Sequence, residues 1–202
     1  MHRAAKGLAI AVLALAGAAS GQERQRFTDH ERRALIAGEL VRRDLSRREG
    51  DVQLYGGASW QRVRAPIDRV WALATDPTSL PDLIPSLDEA RVLEERGRSR
   101  LVYMHHSYGI ADTSYHVRMD LDDEAHTLRF RLDRSRAHEI REGRGYLTLT
   151  PYRGDTIVEW GMLVDPGGGL VGQIFGPMLD EWLLLPPRCV RDALEPGRAP
   201  SC

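Results

Sequence analysis

The chain has 202 residues, 42% of them hydrophobic and 28% charged, with 28 basic side chains against 29 acidic ones for a net charge of −1. That length and apolar content suit one domain with a sizeable core, and nearly balanced charge without a basic stripe excludes the usual phosphate-tracking surface of a nucleic-acid binder. Lys6 is the sole lysine, so the positive charge is almost all arginine, a compositional bias to which no function attaches.

Arg3 and Lys6 precede an apolar run from Gly7 to Ala19 that is short for a bilayer span and ends in small residues, Ala16 and Ala18. This order predicts a signal peptide over residues 1–20, cut near Ala18 or Ser20, and an exported protein, periplasmic or secreted. The competing reading is an uncleaved anchor or an apolar N-terminal helix. Residues 21–37 form a predicted helical extension: Thr28 and Glu31 have capping-box spacing, Leu35 and Ile36 follow, and Gly38 ends the helix. Residues 39–44 fit helix or strand, 46–51 look turn-like, and 52–64 read as a long strand. Gly56-Gly57 within it suggests a bulge or a close backbone approach.

Pro66 suits the first position of a helix, and Ile67, Val70, Trp71 and Ala74 recur at helical spacing. Asp76-Pro77 stops that helix, and Leu80, Leu83 and Ile84 allow one more short turn before Pro85. The stretch resembles the START-type superfamily, which includes polyketide cyclases and lipid-transfer proteins, and the residues that carry the likeness are Ala65, Pro66, Val70, Trp71, Asp76, Leu80 and Pro85. The resemblance spans residues 38–195 and favours a strand over 39–44. It implies an α+β helix-grip fold: a curved antiparallel sheet wrapped around a long C-terminal helix, with two short helices after the first long strand. One fold hosts many functions, so the likeness speaks to fold before activity.

Further strands are expected near residues 90–95, 100–108, 113–121, 127–133, 145–150 and 156–164. Tyr115, Val117, Met119 and Leu121 share one face, as do Leu128, Phe130 and Leu132, and Val158, Trp160, Met162 and Val164; polar residues alternate with them. Turn signals at Gly97, Gly109, Asp122-Asp123 and Gly154-Asp155 make a meander the simplest connection. A Pro-Gly-Gly-Gly linker follows at residues 166–169. Leu170, Ile174, Phe175, Met178, Leu179, Trp182 and Leu183 then form a wide helical stripe, kinked or divided at Pro177 and Pro186-Pro187, with a last helical piece over 188–194. Residues 196–202 are a tail.

A sheet that grips a helix without touching it everywhere leaves a cavity between them. The candidate lining is Met104, His106, Tyr108, Tyr115, Val117 and Phe130, with Trp160 and Met162 from the last strand and Phe175, Met178, Leu179 and Trp182 from the helix. Of the pair His105-His106, alternation puts His106 in phase with Met104 and Tyr108 and His105 toward solvent. Beside Tyr108, Asp112 and Tyr115, His106 is either a general acid or base or a hydrogen-bonded wall residue. Trp71 fits core better than cavity wall. No catalytic set, metal site or phosphate loop is recognisable, and no cofactor is expected. Cys189 and Cys202, the only cysteines, form either a disulfide closing a loop of about a dozen residues or two free thiols.

These features predict a protein that binds, and carries, a hydrophobic small molecule such as a lipid, quinone or polyketide-like compound. A transient membrane contact fits that reading and a nucleic-acid partner does not; the sequence sets no oligomeric state. The alternatives are an aromatase or cyclase acting on a polyketide-like substrate, and an envelope module whose interior is filled by its own side chains.

Overall fold

The computed structural model describes residues 27–108, 111–168, 182–195 and 197. Helix α1 (Asp29–Ala37) starts in a complete capping box: the Glu31 backbone N–H donates to Thr28 Oγ1, and the Thr28 backbone N–H donates to Glu31 at 2.7 Å. Gly38 closes it in the left-handed conformation, which glycine adopts without steric cost. Strands β1 (Val41–Glu49) and β2 (Val52–Val63) form a hairpin. The residues expected to be a turn, 46–51, are mostly strand: Ser46 to Glu49 continue β1, and only Gly50-Asp51 turn. As an edge strand with solvent on both sides here, β1 shows no apolar alternation.

Helix α2 (Ile67–Thr75) has Pro66 at its N-cap, one position earlier than its spacing suggested, and buries Val70, Trp71 and Ala74. Asp76 ends it and caps a 3₁₀ turn, Pro77–Ser79, by accepting from the Thr78 N–H at 3.0 Å; α3 (Leu80–Leu83) follows. The remaining strands are β3 (Leu87–Arg96), β4 (Ser99–Tyr108), β5 (Ala111–Asp122), β6 (Thr127–Leu132), β7 (Glu142–Tyr152) and β8 (Asp155–Asp165). Helix α4 (Pro186–Leu194) begins with the two prolines that were expected to break a helix, because the first turn needs no N–H from either.

The eight strands among the described residues form one antiparallel sheet in the order β1-β2-β8-β7-β6-β5-β4-β3. From β3 to β8 the chain is a meander, and the α2–α3 unit carries it from β2 to the far edge, where β3 starts. This is the α+β helix-grip fold. The expected long C-terminal helix falls largely on residues 169–181, which lie outside the described residues, as does the predicted signal peptide.

The main core fills the concave face beneath α2, α3 and α4, with Val63, Val70, Val102 and Val158 fully buried. A smaller cluster lies on the other face, where Leu35 of α1 meets Val41 and Trp60. There Arg43 donates to Glu31 through Nε at 2.7 Å and Nη2 at 2.8 Å and lies over the Phe27 and Trp60 rings. The carbonyl of Gly38, just past α1, accepts from both Gln61 and Arg191, so β2 and α4 share one acceptor at the end of α1.

The glycine pair in β2 produces no bulge, since pairing runs unbroken through it on both sides. It marks a close backbone approach. A Cβ on Gly56 would sit 2.0 Å from the Met162 carbonyl oxygen, and one on Gly57 2.1 Å from that of Arg43, at φ of 140° and 147°. Gly57→Ala should therefore lower unfolding free energy by about 3 kcal/mol, whereas Leu45→Ala, at an exposed position of the facing strand, should stay within about 0.5 kcal/mol. Urea unfolding at unchanged m-value measures both, and equal small losses would contradict the close approach.

Candidate functional site

Between the concave face and the helices lies a cavity of about 150 Å³. That is roughly ten times the 10–15 Å³ that holds one water. Its floor comes from the inward residues of β4 to β8, its roof from α2, α3 and the turn after α3, and one end from Trp182, Leu183 and the first turn of α4. The lining is almost entirely apolar, which follows from the period-two pattern: each strand gives the cavity every second residue.

Met104, His106, Tyr115 and Val117 line it from the neighbouring strands β4 and β5, and Phe130, Trp160, Met162 and Trp182 complete the opposite side. The Trp160 ring stacks on Phe130 at 5.0 Å, and its Nε1–H donates to the Leu183 carbonyl at 2.7 Å, which pins the segment entering α4 to the sheet. Gly145 makes room for that stack, since a Cβ there would meet the Phe130 ring at 2.4 Å. Phe175, Met178, Leu179 and the Tyr108 side chain lie outside the described residues. Trp71 packs in the core instead, its Nε1–H donating to Asp123 at 2.9 Å. Cys189 is disulfide-bonded, and Cys202 lies outside the described residues.

The polar features of the lining gather largely at one end. His106 Nε2 lies 2.7 Å from the Tyr115 hydroxyl, His106 Nδ1 lies 3.2 Å from the Ser86 hydroxyl, and the His106 and Tyr115 rings stack at 5.5 Å. Thr113, the cross-strand partner of His106, lines the cavity beside it and has no hydrogen-bond partner for its hydroxyl. His105 is on the other face, within 4.0 Å of Asp88 and 3.6 Å of Asp112. Asp112 therefore serves His105 and leaves His106 without a contacting carboxylate.

Sequence reasoning missed Ser86, Thr113 and Arg100. Ser86 reaches the cavity because its backbone is left-handed, φ 63°, at the turn into β3. Thr113 needs the β4–β5 register to be seen. Arg100 lines the cavity six positions from His106 on β4, roughly 20 Å along the strand, and its guanidinium is held by Glu95 and the Thr75 carbonyl.

Burial pushes the His106 pKa down from 6.5 to about 4, with Asp88 pulling weakly upward and His105 downward, and burial pushes the Tyr115 hydroxyl up. Ser86, His106 and Tyr115 are then all neutral at physiological pH. A base whose conjugate acid titrates near 4 abstracts protons poorly, so this chain is better suited to hydrogen bonding than to acid–base work. Among the described residues no group of three or more His, Cys, Asp or Glu is placed to hold a metal, and no helix there is long and apolar enough to cross a membrane.

Residues 59–184 match the family model described as polyketide cyclase/dehydrase and lipid transport. No curated protein matches the chain. Solved structures share the fold. A crystal structure of a protein from Thermus thermophilus is similar with TM-score 0.58 and 15% identity, over 68% of this chain and 94% of that one. A STAR-related lipid transfer protein fragment from Xanthomonas axonopodis is similar with TM-score 0.57 and 14% identity, over 75% and 98%. A truncated norcoclaurine synthase from Thalictrum flavum gives 0.53 and 14%, over 75% and 100%.

The His106 shift fixes a sign. Between pH 6.5 and about 4 the unfolded chain binds a proton that the folded one refuses, so folding stability falls as pH drops through this window. Between pH 7 and 5 the loss should be about 2 kcal/mol, and it should vanish in His106→Gln. Glu31, held down to about 2 by Arg43, and Asp133, held to about 2 by Ser135 and Arg118, lose their contributions below about 4.5 and leave the comparison of pH 7 with pH 5 clear. Denaturant unfolding at both pH values tests this, and identical pH dependence in the two proteins would refute a neutral buried His106.

Proposed function

The chain belongs to the polyketide cyclase/dehydrase and lipid-transport family, and from that premise we propose that it is an exported carrier that holds a hydrophobic small molecule in the cavity between sheet and helices. The family and the fold support hydrophobic ligand binding or cyclase-type chemistry. The observation that carries the choice is the cavity itself: nearly all apolar, with a few neutral hydrogen-bonding groups at one end. Burying apolar ligand surface would supply affinity at roughly 25 cal/mol per Å², before the costs of association. A lipid, quinone or polyketide-like compound fits such a lining. Export rests on the charge-apolar-small order of residues 1–20, and delivery between membranes on the family's range.

A cyclase or aromatase is the second reading, and one observation favours it: the Ser86–His106–Tyr115 chain faces the cavity, where a reactive carbonyl would lie. It ranks second because His106, with its pKa pushed down to about 4, is a weak base.

Native mass spectrometry of the full chain purified from a cell-envelope fraction tests the proposal in one measurement. The expected result is a protein mass beginning near residue 19 or 21 with a stoichiometric apolar adduct released by solvent. An apo mass that stays apo after incubation with mixed lipids and quinones would overturn the carrier reading, and a full-length mass confined to the cytoplasm would overturn export.

A further inference from the structure

We infer that Arg100 is the wall of the cavity at its α2 end and sets how long a ligand the protein takes. This rests on the reading of the cavity as a binding site and assigns the residue that fixes its reach.

Arg100 breaks the pattern of its strand. It shares the concave phase of Val102, Met104 and His106, pairs with Met119 of β5, and is the one fully charged side chain among the described residues that line the cavity. Packing alone calls for an apolar residue there. Arg100 instead runs from floor to roof: its Nη1 donates to the Thr75 carbonyl at 2.9 Å, and its Nε to Glu95 on the neighbouring strand at 2.9 Å. Thr75 is the last residue of α2 and also lines the cavity, so the bond joins sheet to helix across the gap between them. A carbonyl in the last turn has no partner within its own helix, and a cation is favoured at that terminus.

Beyond that bond lies solvent. Around this end Ala74, Met119, Leu121 and Leu128 are buried, whereas Thr75, Pro77 and Arg100 are half-buried, with 26% of the Arg100 side chain exposed. Arg100 therefore meets the cavity on one side and water on the other, as a wall one residue thick does. Arginine suits that place, because its aliphatic stem covers apolar surface while the guanidinium stays wet and bonded. The wall stands roughly 20 Å along β4 from His106. An apolar chain with one end at His106 gains affinity roughly four-fold with each methylene it buries, until it reaches Arg100. A longer chain has to displace a charged group that holds two hydrogen bonds.

Native mass spectrometry on the full chain, incubated with an equimolar series of even-numbered straight-chain primary alcohols from decanol to eicosanol, reads the bound length directly. Wild type should favour one length and discriminate against the longer members. Arg100→Ala should move the favoured length up by at least one member of the series while the shorter alcohols still bind. Arg100→Met, which keeps an unbranched stem but neither hydrogen bond, should move it in the same direction and serves where the alanine variant does not fold. A residue that only caps α2 would instead lower the melting temperature and weaken every alcohol by the same factor. That uniform loss, or an unchanged favoured length in every variant that folds, would overturn the wall while leaving a binding cavity. Wild type that binds none of the alcohols would overturn the carrier reading and the wall with it.

Discussion

The backbone contact at Gly56 and Gly57 is the tightest constraint on how β1, β2 and β8 pack side by side. Two consecutive residues without side chains let the Met162 carbonyl of β8 and the Arg43 carbonyl of β1 approach β2 to distances that a Cβ forbids. Positive φ at both positions turns the strand without breaking its ladder. Sheets curve where glycine permits it. Further along the same strands β2 and β8 meet α4 on one face, and α1 covers β2 on the other. The meander then extends far enough past the helices that α2, α3 and α4 roof a space they do not fill.

How much of this could be read in the sequence depends on whether the signal was local. The α1 capping box, the Asp76-Pro77 break and the alternation of β5, β6 and β8 each involve residues within a few positions of one another. The extent of β1 was not legible, because charged residues on an edge strand carry no periodicity and only the Glu49–Val52 pairing reveals the hairpin. Residues on the inward face of a patterned strand, such as Met104, Val117 and Trp160, could be nominated from phase alone. Thr113 could not: its importance comes from standing opposite His106, a relation set by register across two strands. Ser86 was hidden for another reason, since a left-handed serine after a proline has no pattern to announce it.

Burial controls the chemistry available at the polar end. On the outer face His105 lies beside Asp88 and Asp112, half in water. His106, one residue later, has crossed to the concave side, where desolvation outweighs the pull of Asp88 and keeps the ring neutral. Single-residue alternation along β4 thus separates a solvated histidine–carboxylate contact from a buried, neutral hydrogen-bond relay.

The relay is costly as a purely structural device. An unpaired buried hydroxyl costs about 1–3 kcal/mol, and valine would fill the Thr113 position with nearly the same volume and no such cost. Left-handed backbone at Ser86 adds about 1–2 kcal/mol of strain that glycine would avoid. Two local penalties converge on one end of one cavity, at the residues flanking His106. Local rules broken together at one site mark function more often than packing. The Ser86 penalty is offset by what the strain positions, a hydroxyl at His106 Nδ1 that holds the ring in place.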